Sequence, residues 1–168
     1  VLKRVFDFFA ALIGGILLLP FFILIAGIIR LDSQGPILVK LQRIGAGGKT
    51  FTMYKFRSMM PGAHEKKREL LPYNEREDGP LFKMSHDPRV TRVGRFLRKW
   101  SIDEFPQLIN VIKGQMSLVG PRAHEPEEVA HYEKHHRKLL YIRPGIVCLA
   151  AISGRSGLKF EEEVHLDT

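Results

Sequence analysis

Cysteine is nearly absent. Cys148 is the only one among 168 residues, so no internal disulfide braces the fold, and the composition fits a reducing compartment. Charge is missing between Asp7 and Arg30, where 22 consecutive residues read FFAALIGGILLLPFFILIAGII. No A-x-A-like cleavage site follows that run, which argues against a secretory leader. Complete nucleotide loops are missing too. Gly45, Gly47 and Gly48 resemble one, but the position six before Lys49, where a P-loop needs glycine, is Arg43. The third glycine of a dinucleotide fingerprint is replaced by Thr50. No internal repeat is evident, and the length is that of one domain, with or without an appendage.

The charge-free run is what is most conspicuously present. At helical rise it extends about 33 Å, close to the hydrocarbon thickness of a bilayer, whereas buried helices of ordinary domains seldom keep such a run beyond about 14 residues. The chain is therefore expected to meet a membrane. Pro20 sits near the middle, lacks a backbone donor and clashes with the carbonyl of Ile16, so a kink or break is expected there. Lys3 and Arg4 precede the run, and Arg30, Lys40 and Arg43 follow it. Basic flanks on both sides suit a helix that enters, bends and returns to the same face; a kinked spanning helix is the competing reading. Residues 1–30 are thus a membrane segment and residues 31–168 a compact core.

The net charge is +8, unevenly spread. Residues 40–100 carry 15 Lys/Arg against 6 Asp/Glu, and residues 101–168 carry 8 against 10. A basic middle beside an apolar anchor suits anionic headgroups or phosphate-bearing substrates. Residues 36–60 read as two strands joined at the glycine cluster, and residues 61–89 as a long surface excursion with at most one short helix. Val93, Phe96, Leu97 and Trp100 recur at helical spacing, with Arg92, Arg95, Arg98 and Lys99 between them. That helix suits a membrane interface, or a core helix with a solvated basic face. Phe105, Leu108, Ile109 and Ile112 mark a second helix that stops at Gly114, and a polar third runs from about 126 to 140. The fold class expected is α+β, mostly helical with a small β-hairpin.

Within this frame SIDEFPQL (101–108) sets Asp103 and Glu104 side by side. Ser101-x-x-Glu104 is a capping box, and acids favour a helix's first turn, so a purely structural reading exists. Pro106 instead favours a helix beginning at itself, which leaves the carboxylates on its approach. There, in a positive surface, they suit a magnesium ion held jointly with substrate phosphate, and a carboxylate attack on phosphorus. Lys55 and Arg57 alternate on a strand-like segment and are expected on one face. With Arg98 and Arg122 they would supply the cations that phosphate needs, although each alone reads as a solvated surface charge. His131 and His135 have zinc-like i, i+4 spacing beside His136, but no third ligand is in view.

The ordered set KRVFD, the apolar run broken by Pro20, GP (35–36), RIG (43–45), KFRSM (55–59), RVTRVGRFLRK (89–99), SIDEFPQL, MSLVGPR and SGRS (153–156) resembles the bacterial sugar transferases over nearly the whole chain. These are the monotopic phosphoglycosyl transferases. The resemblance implies transfer of a sugar 1-phosphate from a UDP-sugar to undecaprenyl phosphate with release of UMP, by ping-pong kinetics. It is the first membrane step of polysaccharide or glycoconjugate assembly. Asp103 would be the nucleophile forming a covalent phosphosugar intermediate, and Glu104 the ligand of Mg2+. Lys55, Arg98 and Arg122 would be basic residues of the site. Arg155 would touch nucleotide or shape its own turn. Pro20 would be the proline of a re-entrant helix, placing both ends on the cytoplasmic face of a bacterial inner membrane. No nucleic-acid partner is implied, and homo-oligomerisation stays open.

Leu19 stands where some members have Ser before the proline, Ala123 where Pro commonly follows Gly-Pro-Arg, and Val147–Ala151 replaces the more usual T-G-L-W-Q. The family often carries a segment beyond the equivalent of Thr168, and larger members have spans ahead of this core. Two rival functions remain. One is a membrane-tethered module binding anionic lipid or nucleic acid, which leaves the carboxylate pair without a purpose. The other is a phosphodiesterase with water as acceptor.

Overall fold

The computed structural model describes residues 1–76, 78–154 and 157–168. It opens with α1 (Leu2–Leu17) and α2 (Leu19–Asp32), which meet at a 62° bend. The break falls at Leu18, two residues ahead of the expected proline. Pro20 lies in the first turn of α2, where a missing N–H costs nothing, and its ring is what α1 cannot continue past. Among the described residues no single helix is long and apolar enough to cross a membrane; the bent pair reaches that length and composition only when its two helices are taken together.

This bent pair shares its packing with the rest of the chain. Ala11 packs with Phe51, Met53, Val111, Met116 and Ala123, and Ile25 and Ile29 pack with Phe56, Leu97 and Ile102. The outer surface is left apolar and exposed, through Phe6, Phe9, Ile13, Ile16, Leu17, Leu19, Ile23 and Leu24. Two arginines fasten the ends. Arg4 donates to the carbonyls of Val111 (2.5 Å) and Ile112 (2.9 Å). Arg57 donates to the carbonyls of Pro36 (2.6 Å), Ser33 (2.5 Å) and Ile29 (3.3 Å) and to Ser33 Oγ.

β1 (Leu38–Ile44) and β2 (Thr50–Phe56) form the expected antiparallel hairpin, with Ile44 opposite Thr50 and Leu38 opposite Phe56. Gly47 and Gly48 turn it at positive φ. The excursion at 61–89 contains α3 (Lys67–Leu70), followed by a 3-10 turn at Leu71–Tyr73. In α4 (Arg92–Lys99) the side chain of Thr91 caps Gly94 N–H at 2.9 Å. A Cβ at Gly94 would meet the Ser58 carbonyl at 1.9 Å, so glycine is what lets α4 lie against the chain leaving β2. Leu97 is fully buried while Phe96 and Trp100 are exposed. The helix thus has a core stripe and an outward apolar pair set among exposed Arg92, Arg95 and Lys99.

A 3-10 turn, Ile102–Gln107, runs into α5 (Leu108–Ile112), which Gly114 ends at φ 80°. β3 (Ser117–Val119) pairs in parallel with β4 (Gly145–Val147), a pairing the sequence does not announce because each strand has three residues. The polar third helix is shorter than expected. α6 covers Pro126–Ala130, and a 3-10 segment follows only at His136–Tyr141. α7 (Leu149–Ser153) and α8 (Phe160–Asp167) close the chain, with Phe160 and Val164 buried against Leu81, Tyr132 and Leu139.

Candidate active site

The chain reverses out of α4 through Ser101, at φ 56° and the one non-glycine residue with positive φ among the described residues. Such conformations are uncommon outside glycine and concentrate at functional sites. The capping box is not formed. The Ser101 side chain caps nothing; its carbonyl accepts from Glu104 N–H at 3.2 Å. A left-handed serine cannot aim its hydroxyl down the following turn, and Pro106 inside that turn favours 3-10 over α geometry. Asp103 and Glu104 are therefore presented on a tight turn and not at a capped α-helix.

Lys55, next to last in β2, reaches both carboxylates. Its Nζ lies 2.7 Å from Glu104 Oε1 and 4.0 Å from Asp103 Oδ2. The two acids divide electrostatically. Burial pushes the Asp103 carboxyl above its ordinary value; neighbouring Glu104 adds to this, and Lys55 and Arg98 oppose it without cancelling it. Burial also acts on Glu104, but Lys55, Arg122 and a hydrogen bond from the Gln107 amide hold it below its ordinary value. The result is one carboxylate firmly charged and paired, beside another more basic and with its lone pairs less used.

Arg98 and Arg122 are exposed and close enough to act electrostatically on Asp103 and Glu104 respectively. The Arg122 loop is pinned by its backbone N–H donating to Asp167 Oδ2 at 3.1 Å. Arg57 is a correction. β2 ends at Phe56, and the Arg57 guanidinium is buried against the last carbonyls of α2 instead of facing the dyad. Four acceptors around the end of α2 hold it in place, while burial, with Arg30 nearby, lowers its pKa from the ordinary value. Arg155 lies outside the described residues. Pro20 stands in the first turn of α2, at the bend between α1 and α2.

The sequence reading missed Gln107 and Arg43. Gln107 is 2% exposed, and its spacing of three from Glu104 was the available signal. Arg43, in β1, is bound to Glu125 at 2.8 Å and lies within electrostatic reach of Arg122 and Glu104. Burial lowers its pKa to about 10.

The histidines do gain a third neighbour, from 25 residues away. Glu161 accepts from His136 Nε2 (2.6 Å) and pairs with His135 Nε2 (3.0 Å). However, His136 Nδ1 accepts from Glu133 N–H at 3.0 Å, so its proton sits on Nε2, the nitrogen a metal would need. The i, i+4 argument also lapses, because the helix has ended at Ala130. A cleft of about 430 Å³ borders these groups, lined by Asp78, His131 and Phe160 among others and not by Asp103 or Glu104.

A lysine bridging two adjacent carboxylates of unequal basicity, with the exposed Arg98 and Arg122 nearby, is equipped to hold and attack a phosphate ester. Comparison with known proteins agrees. The pattern of the bacterial sugar transferase family matches residues 1–168, and the chain belongs to that family. It is 42% identical to the galactosyl transferase CpsE of Streptococcus agalactiae over 98% of this chain and 36% of that protein. It is 41% identical to the undecaprenyl-phosphate galactose phosphotransferase of Salmonella typhimurium, over 99% of this chain and 36% of that protein. With the exopolysaccharide production protein ExoY of Sinorhizobium fredii it shares 40% identity over 99% of this chain and 75% of that protein. The chain thus spans about a third of the length of the first two relatives and three quarters of the third.

Proposed function

We propose that the protein transfers a sugar 1-phosphate from a UDP-sugar to undecaprenyl phosphate, releasing UMP, in the service of polysaccharide or glycoconjugate assembly. The observation that carries this reading is the Lys55 bridge, which leaves Asp103 buried, basic and able to act while Glu104 stays charged. A relative named for undecaprenyl-phosphate galactose transfer supports the acceptor.

In the first step an Asp103 oxygen attacks the β-phosphorus of the donor. The bond from that phosphorus to the bridging oxygen breaks, UMP departs with the electron pair, and an acyl phosphate carrying the sugar remains on Asp103. In the second, a lipid phosphate oxygen attacks the same phosphorus, the Asp103 oxygen leaves as carboxylate, and a diphosphate-linked sugar is formed. Lys55 and Arg122 face the charge developing on the phosphoryl oxygens, and Arg98 flanks Asp103. The donor set, partly exposed Glu104 beside buried Asp103, fits Mg2+ held chiefly by Glu104 and completed by substrate phosphate and water. When bound, the ion neutralises charge on the diphosphate and its leaving group. Burial of Asp103 at 6% exposure limits water, and so favours transfer over hydrolysis.

The exposed apolar surface of α1 and α2, with Phe96 and Trp100 beside basic residues, supports insertion of the bent pair from the cytoplasmic face of a bacterial inner membrane. The test uses detergent-solubilised protein, magnesium and a panel of UDP-sugars, first without lipid. Intact mass should rise by one phosphosugar with the correct donor, with matching UMP, and not in Asp103→Asn. No adduct and no UMP, with or without polyprenol phosphate, would refute the reading.

A further inference from the structure

Asn110 is fully buried, about two turns beyond the carboxylates, in the helix their 3-10 turn runs into. Its oxygen and both of its amide hydrogens have partners. Oδ1 accepts from Tyr54 N–H at 3.0 Å, and Nδ2 donates to the Thr52 carbonyl at 2.6 Å and to Gln115 Oε1 at 2.8 Å. Tyr54 N–H and Thr52 C=O are two residues apart on β2, and their cross-strand neighbours on β1 are Lys40 and Gln42. They point away from β1, so a single side-chain amide stands where a third strand would pair. The next residue along β2 is Lys55, whose amine reaches back to Glu104 and Asp103. The chain of contacts is closed: Lys55, Tyr54, Asn110, the turn, Glu104, Lys55.

We infer that Asn110 is a positioning residue, setting the strand that carries Lys55 at its working distance from the carboxylate pair. The inference rests on the proposed transferase reading for its effect on turnover, but the geometry of Lys55 can be read without any turnover. A core amide with all its bonds made orients its neighbours rigidly, and misplacing a phosphate-facing cation by about 1 Å can cost on the order of 100-fold in rate.

The experiment compares unmodified protein, Asn110→Ala and Asn110→Asp in detergent. Asn110→Asp keeps the acceptor for Tyr54 but sets an oxygen against the Thr52 carbonyl, and it is read in place of Asn110→Ala if that variant does not fold. Acetylation of Lys55, followed by peptide mass spectrometry, should quicken severalfold in either variant. In Gln115→Ala, which removes the acceptor of one Asn110 bond and leaves both Asn110 bonds to β2 in place, it should not. Turnover should fall on the order of 10- to 100-fold with donor KM held within about twofold, and the same substitution should cost nothing further in a Lys55→Ala background. Unchanged labelling in a folded variant, or an equal turnover loss in the Lys55→Ala background, would overturn the inference. If unmodified protein released no UMP at all, the transferase reading would fail while labelling still decided whether Asn110 sets Lys55.

Discussion

Two clusters in this molecule bring carboxylates and cations together, and they do opposite things. At Lys55–Glu104–Asp103 the groups are largely buried, the two acids are pushed apart in basicity, and Asp103 retains unused lone pairs. At His135–His136–Glu161 the carboxylate is exposed, and both of its oxygens are taken by imidazoles. The first arrangement leaves a group able to react; the second clasps the start of α8 to the 3-10 segment at His136–Tyr141. Composition alone ranks the second higher, since histidines and a glutamate look more like a site than a lysine among two acids. Incomplete satisfaction under burial is the better sign.

The contrast can be broken most forcefully at Asp103. Asp103→Asn should lower turnover at least about 1,000-fold, as removal of a nucleophile does, yet melt at a higher temperature because a buried charge has gone. Scanning calorimetry beside the UMP assay reads both, and a variant that is inactive and less stable would count against the assignment. Glu104→Gln or Lys55→Ala should cost on the order of 100-fold, with the loss in kcat more than in KM. Arg57→Ala sharpens the distinction between neighbouring cations. It should destabilise by about 3 kcal/mol, leaving α2 carbonyls without their donor, while donor KM is unchanged. Denaturant midpoints and donor titrations check the two halves.

The pH dependence is subtler. Asp103 is raised from its usual 3.8 in the folded state, so the folded protein binds the extra proton. Its contribution to stability is therefore present below the unfolded value and lost as pH rises from there through the raised one. Activity should run the other way, climbing as the carboxylate forms, and Asp103→Asn should abolish the stability trend. Parallel trends would refute the role. The smallest expected effect belongs to the second cluster. Glu161→Gln should leave turnover unchanged and the melting temperature nearly so, measured by the same assays, because Glu161 is exposed and a glutamine oxygen still accepts from the buried His136.

Where local spacing decides, the sequence was readable. The β1–β2 hairpin, the glycine turn between its strands and the stop at Gly114 follow from period and from residues that tolerate positive φ. Lys55, Asp103 and Glu104 were also in view, the last two with roles supplied by family resemblance and not by spacing. Arg57 was misplaced because alternation gives a face but not what occupies it; the end of α2 lay there, 24 residues earlier in sequence. The capping box failed because nothing in Ser101 itself announces a left-handed backbone. The helix through the histidines failed because propensity over 126–140 could not reveal that Glu161 and Phe160 would recruit His136 into a turn. Gln107 carries neither charge nor nucleophile and offered only its spacing of three from Glu104; nothing short of its contacts distinguishes Asn110 from filler.

The two arginine fastenings of the bent pair have a mechanical consequence. Arg4 holds the end of the helix that extends the catalytic turn, and Arg57 ties the end of α2 to the strand that carries Lys55. With the bent pair inserted as proposed, height in the lipid and alignment of the reacting groups are no longer separate variables. The wedge at Leu18 becomes a keel: its draught fixes how far above the acyl chains Asp103 rides, and so which lipid phosphates come level with it.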